Sequence, residues 1–127
     1  MANLGMITLL VDNYDEAIDY YTNVLGFTLV EDTPLSETKR WVVVSPGEGA
    51  QLLLAKATDE AQNAAIGNQT GGRVCFFLYT DNFDRDYARF SEHNVAFTES
   101  PRLETFGKVV VFADKYGNKW DLIEKTS

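Results

Sequence analysis

The sequence predicts an α+β fold made of two tandem βαβββ units, and three observations carry that prediction. A short motif is written twice: Val11-Asp12-Asn13-Tyr14-Asp15 returns as Thr80-Asp81-Asn82-Phe83-Asp84, an offset of 69 residues from position 11 to position 80. An amphipathic helical pattern follows each copy. Apolar runs then recur in the same order, with Phe27-Thr28 echoed by Phe97-Thr98 and Trp41-Val42-Val43-Val44 by Val109-Val110-Val111-Phe112. Each half closes on an aliphatic run ending in Lys, Leu52-Leu53-Leu54-Ala55-Lys56 and Leu122-Ile123-Glu124-Lys125. A repeat of this length is a whole supersecondary unit. Two such units facing each other are expected to leave a pocket lined by the same positions from each.

The elements follow in order. Met6-Ile7-Thr8-Leu9-Leu10-Val11 is a short apolar run rich in strand formers and predicts a buried strand. Asp12 and Asn13 suit a helix N-cap, and Asp15 and Glu16 place negative charge in the first turn. Tyr14, Ile18, Tyr21 and Leu25 share one helical face, and Gly26 supplies the stop. Strands are predicted over 27–31, 39–45 and 50–55, the last two joined by a Pro46-Gly47-Glu48-Gly49 turn. Thr58 can cap a short helix over 58–65. Residues 66–72 read as a mobile connecting loop, rich in Gly, Asn and Gln. In the second half, a strand over 73–79 leads to a helix capped by Asp81 or Asn82, with Phe83, Tyr87 and Phe90 on one face. Strands over 95–99, 108–113 and 119–124 follow, with Tyr116-Gly117-Asn118 as the last hairpin turn. The expected organisation is one domain over 1–127, with repeat units at about 4–56 and 73–125 and a linker at 57–72. A ferredoxin-like βαββαβ layout has too few strands to absorb the third and fourth apolar runs of each half.

The 127 residues hold 19 acidic and 11 basic side chains, a formal net charge of −8. That field repels phosphate backbones and anionic bilayers, and no Lys/Arg cluster overcomes it, so neither nucleic acid nor membrane is an expected partner. No apolar run approaches the roughly 20 residues of a membrane span. Residues 1–5 lack the basic flank of a secretory signal, and Cys75 is the single cysteine. A cytoplasmic protein is the expectation.

Residues 11–27, which run Val-Asp-Asn-Tyr-Asp-Glu-Ala-Ile-Asp-Tyr-Tyr-Thr-Asn-Val-Leu-Gly-Phe, resemble the opening helix of the vicinal oxygen chelate superfamily. Its members include glyoxalase I, bleomycin and fosfomycin resistance proteins and extradiol dioxygenases. Asp114-Lys115-Tyr116-Gly117-Asn118-Lys119-Trp120-Asp121-Leu122-Ile123-Glu124 is similar to that family's closing hairpin. The resemblance covers nearly the whole chain. It implies the glyoxalase/bleomycin-resistance fold, in which each unit curls its sheet into half of a cup that binds small molecules, and it implies a homodimer.

The enzymes of that family hold a divalent ion on four side chains, typically His and Glu, one from the first and one from the last strand of each unit. Carried across, the first-strand positions fall on Met6 and Cys75 and the last-strand positions on Gln51 and Asp121. None is His or Glu. Met and Cys donors are soft, whereas Mg, Mn, Fe and Ni sites of this family want oxygen and imidazole donors. No metal and no cofactor is therefore expected, and metal-dependent glyoxalase or dioxygenase chemistry falls with the ion. A divalent metal remains the alternative.

Individual residues refine the expected pocket. Met6 and Cys75 read as apolar packing on central strands, or as an adaptable floor under a ligand. No base is evident to activate Cys75, since His93 falls near the end of the second helix. Strand alternation groups Met6, Thr8 and Leu10, Gln51 with Leu53, Cys75 with Phe77 and Tyr79, and Asp121 with Ile123. Asp121 lies in an apolar strand, so its carboxylate either points to solvent or meets a donor such as Arg40, Gln51 or a cationic ligand. Trp41, Phe77, Tyr79, Phe106 and Trp120 are candidate pocket walls, suited to a planar ring or a quaternary amine. Asn68 and Gln69 either fold over the mouth or form a plain solvent loop. Tyr14, Tyr21, Phe83, Tyr87 and Phe90 belong to the helix-to-sheet core.

The function expected on these grounds is metal-free binding of a small aromatic or cationic molecule, for sequestration or sensing. The rival is a lyase, isomerase or dioxygenase-type enzyme with an atypical metal site or with Asp121 as general base. A third reading is an interaction module whose cup is filled by its own side chains.

Overall fold

A computed structural model describes residues 1–126. The chain divides into two compact units, one ending at Gly67 and the other beginning at Asn68. Each has the βαβββ-like plan with its own mixed sheet.

The first unit runs β1 (Met6–Val11), α1 (Tyr14–Asp19), β2 (Thr28–Pro34), β3 (Arg40–Ser45), β4 (Gln51–Lys56) and α2 (Glu60–Ala65). Its sheet order is β1-β4-β3-β2, with β1 parallel to β4 and the other pairs antiparallel. Asn13 caps α1 by accepting the Glu16 amide at 2.9 Å. The predicted helical face is laid against the sheet, with Tyr14, Ala17, Tyr21 and Leu25 buried. After one and a half turns the helix widens into a π-helical segment, Tyr20–Val24. The extra residue lets Tyr21 stay buried and reach Phe27, 5.8 Å between ring centroids. At α2 the cap is Asp59, one residue later than the expected Thr58: its carboxylate accepts the Gln62 amide, while Thr58 donates through its amide and hydroxyl to Gln62 Oε1.

The second unit runs β5 (Val74–Tyr79), α3 (Phe83–Glu92), β6 (Ala96–Phe97), β7 (Arg102–Glu104), β8 (Gly107–Ala113) and β9 (Lys119–Lys125). Its sheet order is β5-β9-β8-β6, and β7 also pairs with β8. Of the two candidate caps for α3, Asn82 makes the bond, to the Arg85 amide. The strand expected at 95–99 shrinks to Ala96–Phe97. β7 was not expected, because Arg-Leu-Glu carries no alternating apolar signal. Phe83 and Phe90 of α3 are buried: Phe83 stacks on Tyr87, and Phe90 meets Phe112 edge-on, with Phe112 and Phe76 in turn packed on Trp120. Fully burying a Phe side chain stabilises a fold by about 1.5–3 kcal/mol.

Gly107 opens β8 at φ +153, and a Cβ there would stand 2.2 Å from the Glu124 carbonyl oxygen of β9. Gly49 also has positive φ, +85, but faces open space. Gly107→Ala is therefore expected to cost more than about 3 kcal/mol in urea unfolding, and Gly49→Ala about 1 kcal/mol. Equal costs at the two sites would refute the close-approach argument.

Candidate functional site

Each sheet packs one face on its long helix and turns the other away. In the second unit the helix side holds Phe76, Phe112, Trp120 and Leu122. Alternation sends Phe77, Tyr79, Val109, Val111, Asp121 and Ile123 to the opposite face. There the register sets two cross-strand rows: Phe77, Asp121 and Val111 form one, and Tyr79, Ile123, Val109 and Arg102 the other. Phe77 and Tyr79 are 56% and 57% exposed, large aromatic rings with little covering them.

Asp121 sits in the middle of the first row. Its Oδ1 is buried and has no hydrogen-bond partner among the described residues. Burial raises its pKa above the ordinary aspartate value; Arg102 pulls the other way, and the Glu99 charge adds to the rise. Arg102 itself is tied to Glu99 at 3.1 Å and to Glu104 at 2.9 Å. Glu99 also accepts the Val111 amide at 3.1 Å. Glu99 and Arg102 are site residues that sequence reasoning missed, because the short strand carrying Arg102 left no periodic signal.

The strand holding Asp121 is anchored from the helix side. Asp114 is 5% exposed and gathers the last turn: Oδ1 accepts from the Tyr116 and Asn118 amides, and Oδ2 from Asn118 Nδ2 and from Trp120 Nε1 at 3.0 Å. Trp120, expected in the pocket, is thus a core residue, stacked on Phe112. It neighbours Asp121 in sequence and so must point the opposite way.

In the first unit the face away from α1 carries Met6, Thr8, Leu10, Gln51, Leu53 and Trp41, all but Thr8 half-buried. Met6 pairs with Gln51, and Thr8 with Leu53. Arg40 is placed elsewhere: its guanidinium binds Asp32 and Asp15 at 2.7 and 2.9 Å and lies over the Tyr14 ring, on the α1 side. Phe106 lies in the exposed turn between β7 and β8. Asn68 and Gln69 precede β5 in a turn where the Asn68 carbonyl accepts the Gly71 amide.

The register also corrects the internal alignment. Leu10 and Tyr79 stand at the same distance before the capping asparagines Asn13 and Asn82. Leu10 pairs with Ala55 and Tyr79 with Ile123, so Leu53, and not Gln51, is the counterpart of Asp121. A bulge leaves Cys75 without a partner on β9. Burial pushes the Cys75 thiol up, with the Asp114 charge adding to it, the reverse of what a nucleophile needs.

The sequence matches the Glyoxalase/Bleomycin resistance protein/Dioxygenase superfamily over residues 3–122. The chain belongs to that superfamily. An uncharacterized protein of Shewanella frigidimarina (strain NCIMB 400) is 52% identical over 121 residues, spanning 93% of this chain and 90% of that protein. Among solved structures, UcmS2 is 29% identical with a TM-score of 0.82, covering 97% of this chain and 98% of that one. TnmS3, an antibiotic binding protein from Streptomyces sp. CB03234, is 26% identical with a TM-score of 0.79, covering 99% and 98%. No helix among the described residues is long and apolar enough to cross a membrane.

Of the positions from which the resemblance would draw ion ligands, Met6 and Gln51 lie in the first unit and Cys75 and Asp121 in the second. No group of three or more His, Cys, Asp or Glu is placed to hold an ion among the described residues.

Two outcomes follow from these carboxylates. The folded chain holds the Asp121 proton more tightly than the unfolded chain, so the fold is penalised progressively as pH rises from the ordinary value of 3.8 through the folded value. Asp121→Asn should therefore melt higher than the parent at about pH 7, with the difference shrinking towards about pH 3, where both states are protonated. A variant that melts lower at neutral pH would show that Asp121 is paired. Asp114→Ala orphans several buried donors and should cost about 3 kcal/mol or more, with a red shift of tryptophan emission reporting the loosened Trp120.

Proposed function

We propose that this protein binds a small organic molecule, aromatic or cationic, without a metal, and sequesters it rather than transforming it. The observation that carries the reading is the row of Phe77, Asp121 and Val111: an exposed aromatic ring beside a desolvated acceptor on the sheet face opposite α3. Natively folded apolar surface of this kind, interrupted by one polar group, is the usual composition of a ligand site. Likeness to TnmS3, itself an antibiotic binding protein, supports the same reading. The donor set supports the metal-free part, since it cannot grip a hard dication. Cys75 is a free thiol, which suits a reducing, cytoplasmic setting.

A second reading draws on the same carboxylate. A base raised above the ordinary aspartate range is better matched to proton abstraction near neutral pH, as a lyase or isomerase would need. It differs in requiring turnover that Asp121→Asn abolishes.

Isothermal calorimetry against a panel of polycyclic aromatic antibiotics and basic antibiotics decides between them. Saturable binding at micromolar Kd with every compound recovered unchanged is expected, together with less than stoichiometric divalent metal by elemental analysis. Absence of binding across the panel refutes the proposal, and a chemically altered compound favours the enzyme.

A further inference from the structure

We infer that the ligand taken by the second unit carries a protonated alkylamine side group on an aromatic ring system, the ammonium seated between the Asp121 carboxylate and the Phe77 ring. This rests on the binding reading above and narrows it to one chemical class.

Asp121 and Phe77 are direct partners across β5 and β9, so their side chains are neighbours on one face. Asp121 Oδ1 is shielded from water with nothing among the described residues donating to it, an arrangement that costs free energy until a donor arrives. Arg102, the cation whose charge reaches Asp121, does not fill that role. Its Nε serves Glu99 and its Nη1 serves Glu104. Those two carboxylates outnumber it, so Arg102 brings no net positive charge to Asp121. An anionic ligand is repelled there, and a neutral hydroxyl brings a donor without a charge. An ammonium brings both, and its bond to a carboxylate is of the stronger, charge-assisted kind.

The aromatic row points the same way. On the adjoining pair, Lys125 Nζ stands 4.5 Å from the centroid of the Tyr79 ring, so this face already accommodates one ammonium on an aromatic ring. Phe77 offers the equivalent surface beside the unanswered carboxylate, and its exposure leaves room for the ligand's own ring to stack.

The test is an NMR titration of the full chain with 2-naphthylmethylammonium and its neutral analogue 2-naphthylmethanol. The ammonium is expected to bind about tenfold more tightly, since a charge-assisted bond outweighs a neutral one by that order. Amide shifts should centre on Phe77, Val111 and Asp121. Asp121→Asn should bring the two affinities within about twofold without weakening the alcohol, because only the charge is removed. Phe77→Ala, at an exposed position, should weaken the ammonium while leaving thermal stability unchanged, and it stands in if the Asn variant fails to fold. Equal affinities in the parent, a preference that survives Asp121→Asn, shifts confined to the first unit, or no binding of either compound would overturn the inference. Binding of the alcohol without an ammonium advantage would overturn it while leaving the broader binding reading intact. The antibiotic panel judges that broader reading separately.

Discussion

In the second unit the last two strands are joined around one buried carboxylate. Asp114 accepts the amides of Tyr116 and Asn118, the Asn118 amide group and the Trp120 indole, so the turn, the first core residue of β9 and the strand's entry point are set by a single side chain. With Trp120 fixed on the helix side, the pleat of β9 leaves Asp121 no choice but the other face. A buried charge so fully hydrogen-bonded is stable only while every donor stays in place, which couples the turn to the strand. The candidate site inherits its geometry from this clasp.

Asp121 is the opposite case. It is a carboxylate with a shielded oxygen and nothing donating to that oxygen, flanked by apolar side chains and an aromatic ring. The fold tolerates one such group because the remaining core is dense in aliphatic and aromatic contacts. Its counterpart in the first unit is Leu53, where the same sheet position is simply apolar. The two halves share a plan but not a chemistry.

Much of the fold was legible because its signals are local. Asn13 and Asn82 announce their helices through side chains that bond the next turn, and the apolar faces of α1 and α3 follow from helical spacing. The π-helical segment was not legible, since no residue type marks it. The internal alignment of the last strands failed for a physical reason: a shift of two residues leaves every side chain on its original face, so Leu-Leu-Leu and Leu-Ile match equally well in two registers. Only pairing with β1 and β5 separates them. Trp120 and Arg40 were expected at the pocket, yet each neighbours another candidate, Asp121 and Trp41, and adjacent strand residues cannot share a face. Alternation held that information already. Arg102 reaches the site from a three-residue strand, and Glu99 from the segment just before it, an arrangement that only tertiary structure reveals.

The Leu53 and Asp121 counterparts have a consequence for how the chain can change. A duplicated scaffold whose polar duty sits in one copy leaves the other free to drift: hydrophobic exchanges at position 53 need satisfy packing alone, whereas position 121 answers to charge as well. The first half is thus the natural place to graft new recognition, with the second kept as it is.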